Sequence, residues 1–273
     1  YRRTVMGEDD FSCCRLIFGD ADEMPGLTVD LFSDVLVTQT LCYGMDRIKE
    51  RIFKPLVEGL SSCGIHIRGI YERNDVKVRE LDGLTPYKGW YKASWLPEDS
   101  GEPMTTICEN DILYDVDIEN GQKTGFFLDQ KYNRLAVSRL AVGKHVLDCF
   151  THTGAFALNA ARGGAVSVTA VDISEEAVER TLSNIEKNDF SPTVKVVQAN
   201  VFDLLTQLAE EKNRDYDFII LDPPAFTKSG HTLKNAYRGY KEINLKAMKI
   251  LPRGGYLATC SCSHFMTDEL FRR

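Results

Sequence analysis

Apolar and polar positions change rhythm part-way along the chain. Up to about residue 120 the pattern is mixed. Residues 27–32 and 35–41 alternate around Ser33-Asp34, the period-two signature of a hairpin. Between residues 45 and 60 the apolar positions Ile48, Ile52, Phe53, Leu56 and Leu60 share one helical face, with Pro55 as a candidate kink. Residues 65–71 and 112–118 predict further strands. Residues 84–109, with Pro86, Pro97 and Pro103, read as irregular. The segment Lys123-Thr124-Gly125-Phe126-Phe127-Leu128-Asp129-Gln130 then leads into a helix, with Asp129 as its cap, Leu135, Ala136 and Leu140 as its buried stripe and Gly143 as its stop.

Beyond residue 144 the rhythm becomes regular. Strands are predicted at 145–149, 165–171, 193–198, 217–221 and 255–259, and helices at 155–162, 175–188, 201–212 and 232–250. The helix from 175 is the clearest: Ser174 can cap it, Glu175 and Glu176 favour its positive end, and Val178, Leu182 and Ile185 stack on one face. This alternation predicts an α/β fold, a parallel Rossmann-like sheet with helices on both faces. A smaller N-terminal α+β domain is expected over residues 1–118, serving RNA recognition or structure, and the Rossmann-like domain over 119–273.

Composition narrows the function classes. The 273 residues are 43% hydrophobic and 27% charged, ordinary for a globular protein, with a net charge of −7. A broadly basic surface is excluded, so any nucleic-acid contact must be local or lie on a part outside this sequence. No apolar run reaches membrane-spanning length, and Tyr1-Arg2-Arg3 opens no signal-peptide core. A first residue other than Met points to a fragment. The eight cysteines lack paired C-x-x-C spacing, so no metal site is expected and a reducing, cytoplasmic setting is the economical reading. Arg68, Arg73, Lys77 and Arg79 form a loose basic cluster, read as a solvated strand face in preference to an RNA-facing patch.

Four strand ends carry candidate chemistry. Asp148 ends the first strand of the regular half, and Gly154 closes the turn before the helix from 155. One glycine in that turn is too few for a dinucleotide fingerprint, which favours a ligand without phosphates. Asp148 could accept from an ammonium group, and Asp172, ending the next strand, could accept from ribose hydroxyls. An amino acid joined to a ribose is what S-adenosylmethionine presents. The competing reading makes both aspartates plain strand-end caps. Asp222-Pro223-Pro224-Ala225-Phe226 forms a stiff corner suited to gripping a flat ring, with Phe226 available to stack on it. After the fifth strand, Cys260 and Cys262 are candidate thiolate nucleophiles. Thiolate attack at C6 of a pyrimidine makes its C5 carbon nucleophilic, after which a base removes the C5 proton. Cys149 reads as packing, and His152 and His264 as weak candidates for lining the site.

The series K-T-G-F-F-L-D-Q-K-Y-N-R (123–134), V-L-D-C-F-T-H-T-G-A-F (146–156), I-L-D-P-P-A-F (220–226), R-G-Y-K-E-I-N (238–244) and T-C-S-C-S (259–263) resembles the bacterial large-subunit rRNA cytosine-C5 methyltransferases. R-L-I-F-G-D-A-D-E-M-P-G-L-T-V-D (15–30) is similar to the start of their middle domain. The resemblance covers essentially the whole chain and implies a class I S-adenosylmethionine enzyme acting on cytosine C5 of 23S rRNA. It assigns Lys123, Phe126, Arg134, Asp148, Gly154 and Asp172 to the cofactor site, with Phe150, Thr153, Ile173 and Val201 beside them and Asn200 toward the adenine. Asp222 would sit at the target base and also border the cofactor. Cys262, in the S-C-S segment, is the nominated nucleophile, while T-C-S at 259–261 keeps Cys260 in contention. The family's PUA domain and the last strands of its sheet would lie outside residues 1–273.

The reading is therefore an S-adenosylmethionine-dependent rRNA methyltransferase, with S-adenosylmethionine as cofactor, 23S rRNA as partner, no metal, no membrane, and homodimer formation left open. A base-nitrogen rRNA methyltransferase without a covalent adduct is the first alternative. A non-catalytic RNA-binding module is the second.

Overall fold

The computed structural model describes Met6, residues 11–227 and residues 230–272; the Tyr1-Arg2-Arg3 start lies outside them. Two compact units divide the chain, Tyr1–Lys131 and Tyr132–Arg273.

The first unit holds β1 (Cys13–Phe18), β2 (Leu27–Phe32), β3 (Val35–Thr40), α1 (Tyr43–Ser62), β4 (Gly69–Asn74) and β5 (Tyr87–Trp90). Its sheet runs in the order β1-β2-β3-β4-β5. All pairings are antiparallel except β3 with β4, where α1 provides the crossover that a parallel pair needs. Phe53 and Leu60 of α1 pack on Leu27, Val29, Leu31, Leu36 and Ile70. The expected irregular stretch 84–109 is corrected: β5 lies inside it, and β6 (Met104–Glu109) pairs with β7 (Ile112–Asp117). Its prolines bracket these strands without entering them, so no ladder donor is lost.

The basic cluster is corrected as well. Arg79 is 1% exposed, bonds both the Thr40 carbonyl and the Thr40 hydroxyl, and meets Asp46 at 3.3 Å. Buried Arg73 donates to the carbonyls of Ile118 (2.7 Å) and Gly121 (2.9 Å). Arg68 pairs with Asp34 at 2.9 Å and donates to the Met104 carbonyl at 2.6 Å. These guanidiniums pin loops to strand ends, whereas Lys77 is exposed. Arg73 and Arg79 are therefore not part of a solvated face.

The K-T-G-F segment belongs to this first unit. Thr124 donates to buried Asp30 at 2.6 Å, Asp30 also takes both hydrogen bonds of Arg15 (2.7 and 2.9 Å), and Phe126 lies against Tyr114 at 5.1 Å. The unit therefore extends past residue 118.

The remaining elements are α2 (Lys131–Leu140), β8 (His145–Cys149), α3 (Ala155–Arg162), β9 (Ser167–Asp172), α4 (Glu175–Lys187), β10 (Val194–Gln198), α5 (Val201–Glu210), β11 (Phe218–Leu221), α6 (Leu233–Ile250), β12 (Tyr256–Thr259) and α7 (Asp268–Phe271). The sheet is parallel throughout, in the order β10-β9-β8-β11-β12. The order reverses between β8 and β11, which opens a crevice at their carboxyl ends. The Rossmann-like α/β expectation holds. Leu205 and Leu208 of α5 and Ile243, Ala247 and Ile250 of α6 pack on Leu147, Cys149, Ile219 and Leu221 of the sheet. No described helix is long and apolar enough to cross a membrane.

Two helix faces differ from the periodicity. In α2 the buried positions are Lys131, Arg134 and Val137, followed by Ala141, while Leu140 is exposed. Asp129 lies in a 3-10 turn ahead of α2 and does not cap it. In α4 Leu182 is 45% exposed, and Thr181 and Asn184 are buried beside Ile185. The reason is polar: α4 turns two hydrogen-bonding side chains toward the loop after β8.

Candidate active site

Asp148 is fully buried at the end of β8. Its Oδ2 accepts from the Thr151 hydroxyl at 2.5 Å and from the Ala157 amide at 3.0 Å, in the first turn of α3. Its Oδ1 is buried without a hydrogen-bond partner. Burial above all pushes this carboxyl up to about 7; Asp222 and Asp172 push the same way, and the Thr151 and Ala157 hydrogen bonds oppose them. A buried carboxylate oxygen without a donor is costly unless something supplies one. An ammonium group at Oδ1 would complete the shell and return the carboxyl to its ionised form.

The loop between β8 and α3 is held in strained geometry. Phe150 and His152 have φ of 64° and 56°, a region that side chains rarely adopt. Gly154, at φ 79°, is the N-cap of α3, and a Cβ there would lie 2.7 Å from Thr181 Cγ2. Glycine is thus required twice over, by dihedral and by space. Ties to β9 and α4 hold the loop, among them the Thr151 amide to the Val171 carbonyl at 3.0 Å. The His152 amide donates to Asp172 Oδ2 at 3.0 Å. The Asn184 amide donates to the Thr153 carbonyl at 3.0 Å, and the Thr181 hydroxyl lies 3.1 Å from the His152 carbonyl. Asp172 Oδ1 accepts from the Ser174 amide at 3.0 Å, so backbone donors orient both carboxylate oxygens, each of which keeps a lone pair. Burial also lowers His152 from its ordinary value.

The other cofactor candidates fall in varied places. Asn200 is the N-cap of α5, its carbonyl oxygen taken by the Phe202 amide at 2.9 Å and its amide donors left over. Val201 is buried in the core, Ile173 is exposed just past β9, and Arg134 is buried on α2. In the first unit, Phe126 is buried, whereas Lys123 pairs with Asp129 at 3.4 Å and lies over the Phe127 ring at 4.7 Å.

Beside β8, Asp222 follows β11, its amide 3.4 Å from the Cys149 carbonyl. Cys149 is fully buried, and burial raises its thiol well above the ordinary value, as expected of a packing residue. Cys260 and Cys262 both lie past the end of β12. The Cys260 amide donates to the Leu221 carbonyl at 2.8 Å. The exposed Cys262 thiol reaches the Pro223 carbonyl at 3.8 Å, which brings it to the Asp-Pro-Pro corner. Phe226, anticipated as a stacking surface, packs between Phe202 (5.8 Å) and Tyr240 (4.6 Å). His264 is exposed. Among the described residues no group of three or more His, Cys, Asp or Glu is placed to hold a metal.

Sequence reasoning missed Thr151, Thr181 and Asn184. The available signal was two polar residues, at 181 and 184, falling between the apolar positions of α4.

A parallel sheet with a reversal point, an acidic strand end with an unmet oxygen and a second acidic strand end next to it suit an amino-acid-bearing nucleoside on a Rossmann-like fold. Comparison with known proteins agrees. The profile of the S-adenosylmethionine-dependent methyltransferase family matches residues 78–271. The chain belongs to that family, and S-adenosylmethionine is its cofactor. It is 41% identical over 273 residues to ribosomal RNA large subunit methyltransferase I of Pseudoalteromonas translucida, covering 100% of this chain and 66% of that protein. With the enzyme of the same name from Aeromonas salmonicida it shares 42% over 261 residues, covering 95% and 63%. The chain thus spans 63–66% of the length of these relatives. A Streptococcus mutans chain proposed to be an S-adenosylmethionine-dependent methyltransferase superposes with a TM-score of 0.74 at 26% identity, covering 99% of this chain and 66% of that one. A proposed methyltransferase complexed with S-adenosylhomocysteine (SAH) also gives 0.74 at 26% identity, covering 96% and 64%.

Proposed function

We propose that the protein methylates C5 of a cytosine in large-subunit (23S) rRNA, with Cys262 as nucleophile and Asp222 at the target base. The names of its relatives support the substrate. The observation that carries the chemistry is the Cys262 thiol at 3.8 Å from the Pro223 carbonyl, beside Asp222. The target base leaves its stack to reach this corner. The Cys262 thiolate bonds to C6 and drives the C5=C6 π pair onto C5, while Asp222 donates to or protonates N3. The electrophilic methyl group for C5 is what bound S-adenosylmethionine contributes. A base then takes the C5 proton, the electrons restore C5=C6, the C6–S bond breaks to return the thiolate, and N3 gives back to Asp222 any proton it took.

On the cofactor side, Asp148 Oδ1 would meet the ammonium group, Asp172 the ribose hydroxyls and Asn200 the adenine edge. The orphaned Asp148 oxygen is the fit that favours a working cofactor site over a non-catalytic RNA-binding module. Action on rRNA agrees with the cytoplasmic setting expected from the cysteines. In this reading the buried arginines give the first unit a structural role.

Cys262→Ala and Cys260→Ala test the assignment on large-subunit rRNA from cells lacking the enzyme, with mass spectrometry locating the methyl group. Cys262→Ala is expected to lose at least about 10³-fold in rate, and Cys260→Ala to stay within a few-fold. Full activity in both variants, with methyl on a ring nitrogen, would replace the covalent mechanism by the base-nitrogen alternative.

A further inference from the structure

Three segments that carry or border the chemistry meet at one side chain, Tyr240 of α6. Its hydroxyl is 2.9 Å from Ser263 Oγ, and both groups are buried. Its ring lies 4.6 Å from Phe226, in the Asp-Pro-Pro-Ala-Phe corner, and 5.4 Å from Phe271 on α7. Gly239 makes the first contact close, because a Cβ there would come within 3.2 Å of Phe226 Cδ2. Ser263 is the residue after Cys262, in a stretch past β12 without regular structure.

From this convergence we infer that Tyr240 is a positioning residue, fixing the Cys262 segment through Ser263 and the Asp222-Pro223 corner through Phe226. The inference rests on Cys262 being the nucleophile. The physical argument concerns reach. A thiolate adds to C6 only from a narrow range of distance and angle, and small displacements cost rate steeply. Past β12 the ladder no longer determines where residues 261–263 lie, whereas α6 is an 18-residue helix packed on the sheet through Ile243, Ala247 and Ile250. A buried hydroxyl pair between helix and loop transfers the helix's rigidity to the residue beside the thiol. Contacts on two sides, with Phe226 and Phe271, restrict the Tyr240 ring and hence where its hydroxyl points.

Tyr240→Phe, Ser263→Ala and the double variant test this with three readouts. These are the single-turnover rate on large-subunit rRNA at saturating S-adenosylmethionine, the SAH Kd by calorimetry, and the rate of Cys262 alkylation by iodoacetamide across pH, read by peptide mass spectrometry. Each single variant is expected to slow turnover about tenfold, the weight of one buried hydrogen bond, and the double variant to slow it no further. The SAH Kd should stay within about twofold, and the Cys262 alkylation profile should change in Tyr240→Phe. Losses that multiply in the double variant would overturn the inference. So would unchanged alkylation and turnover in Tyr240→Phe while Cys262→Ala is inactive. Full activity in Cys262→Ala would instead overturn the nucleophile reading itself.

Discussion

Buried charges in the two units differ most at Asp148. In the first, Arg79 is spread over Thr40 and Asp46, Arg73 over two carbonyls, and Asp30 over Arg15 and Thr124. In the second, Asp148 is buried as completely, yet one of its oxygens has no donor. Burial by itself therefore says little about function, because a charge whose hydrogen bonds are all met belongs to the architecture. A charge whose shell is one donor short marks a place prepared for a ligand. The first unit also holds an unmet buried oxygen, Thr38 Oγ1, but a neutral hydroxyl costs far less to leave unpaired than a carboxylate.

The strongest attack on this contrast is Arg79→Ala, which strands a carbonyl and part of Asp46. It should cost about 3–5 kcal/mol in urea unfolding and leave the SAH Kd within about twofold. An unchanged unfolding midpoint would remove Arg79 from the architecture.

Asp148→Asn probes the opposite case. Losing the charge proposed to meet the ammonium group should weaken SAH binding by about 2–3 kcal/mol in calorimetry. The same substitution has a stability signature whose sign follows from the raised carboxyl. Ligand-free native protein holds the Asp148 proton up to about pH 7, whereas the unfolded chain releases it near its ordinary value of about 4. That contribution is fully present below about pH 4 and is lost as pH rises through 7. Thermal scans should show the wild type losing stability between about pH 4 and 7 and levelling off above, and Asp148→Asn should lack that part of the slope. A wild-type slope retained in the variant would assign the titration to another group.

Smaller effects sharpen the comparison. Asn184→Ala frees the Thr153 carbonyl and loosens the strained loop, so SAH affinity should drop by about 1–2 kcal/mol. Lys77→Ala, at an exposed position, should stay within about 0.5 kcal/mol in unfolding, which separates it from its buried neighbour Arg79.

Which parts were legible follows from which forces were local. The β8–α3 stretch could be read because an apolar strand, an aspartate, a glycine turn and a helix follow one another directly in the chain, and α3 begins and ends where its pattern places it. Residues 84–109 misled because prolines signal breaks without saying on which side of a strand they fall. The stripe of α4 misled because periodicity scores only apolar residues, while Thr181 and Asn184 are buried for the carbonyls they reach. The arginines misled because a charged residue in sequence is exposed by default, and the acceptors of Arg73 lie 45 and 48 residues away.

The sequence by itself determined the α/β rhythm, the four strand ends with candidate chemistry and the kind of ligand they suit. Each depends on neighbours within a few residues of one another. Tertiary structure alone decided which strands adjoin, and so that β8 and β11 stand side by side with Asp148 and Asp222 at their ends. It also decided that Cys262 meets Pro223, 39 residues away, and that Tyr240 meets Ser263, 23 residues away. The physical reason is that a hydrogen bond or a ring contact depends on distance in space, and only packing of the sheet and its helices converts separation along the chain into proximity.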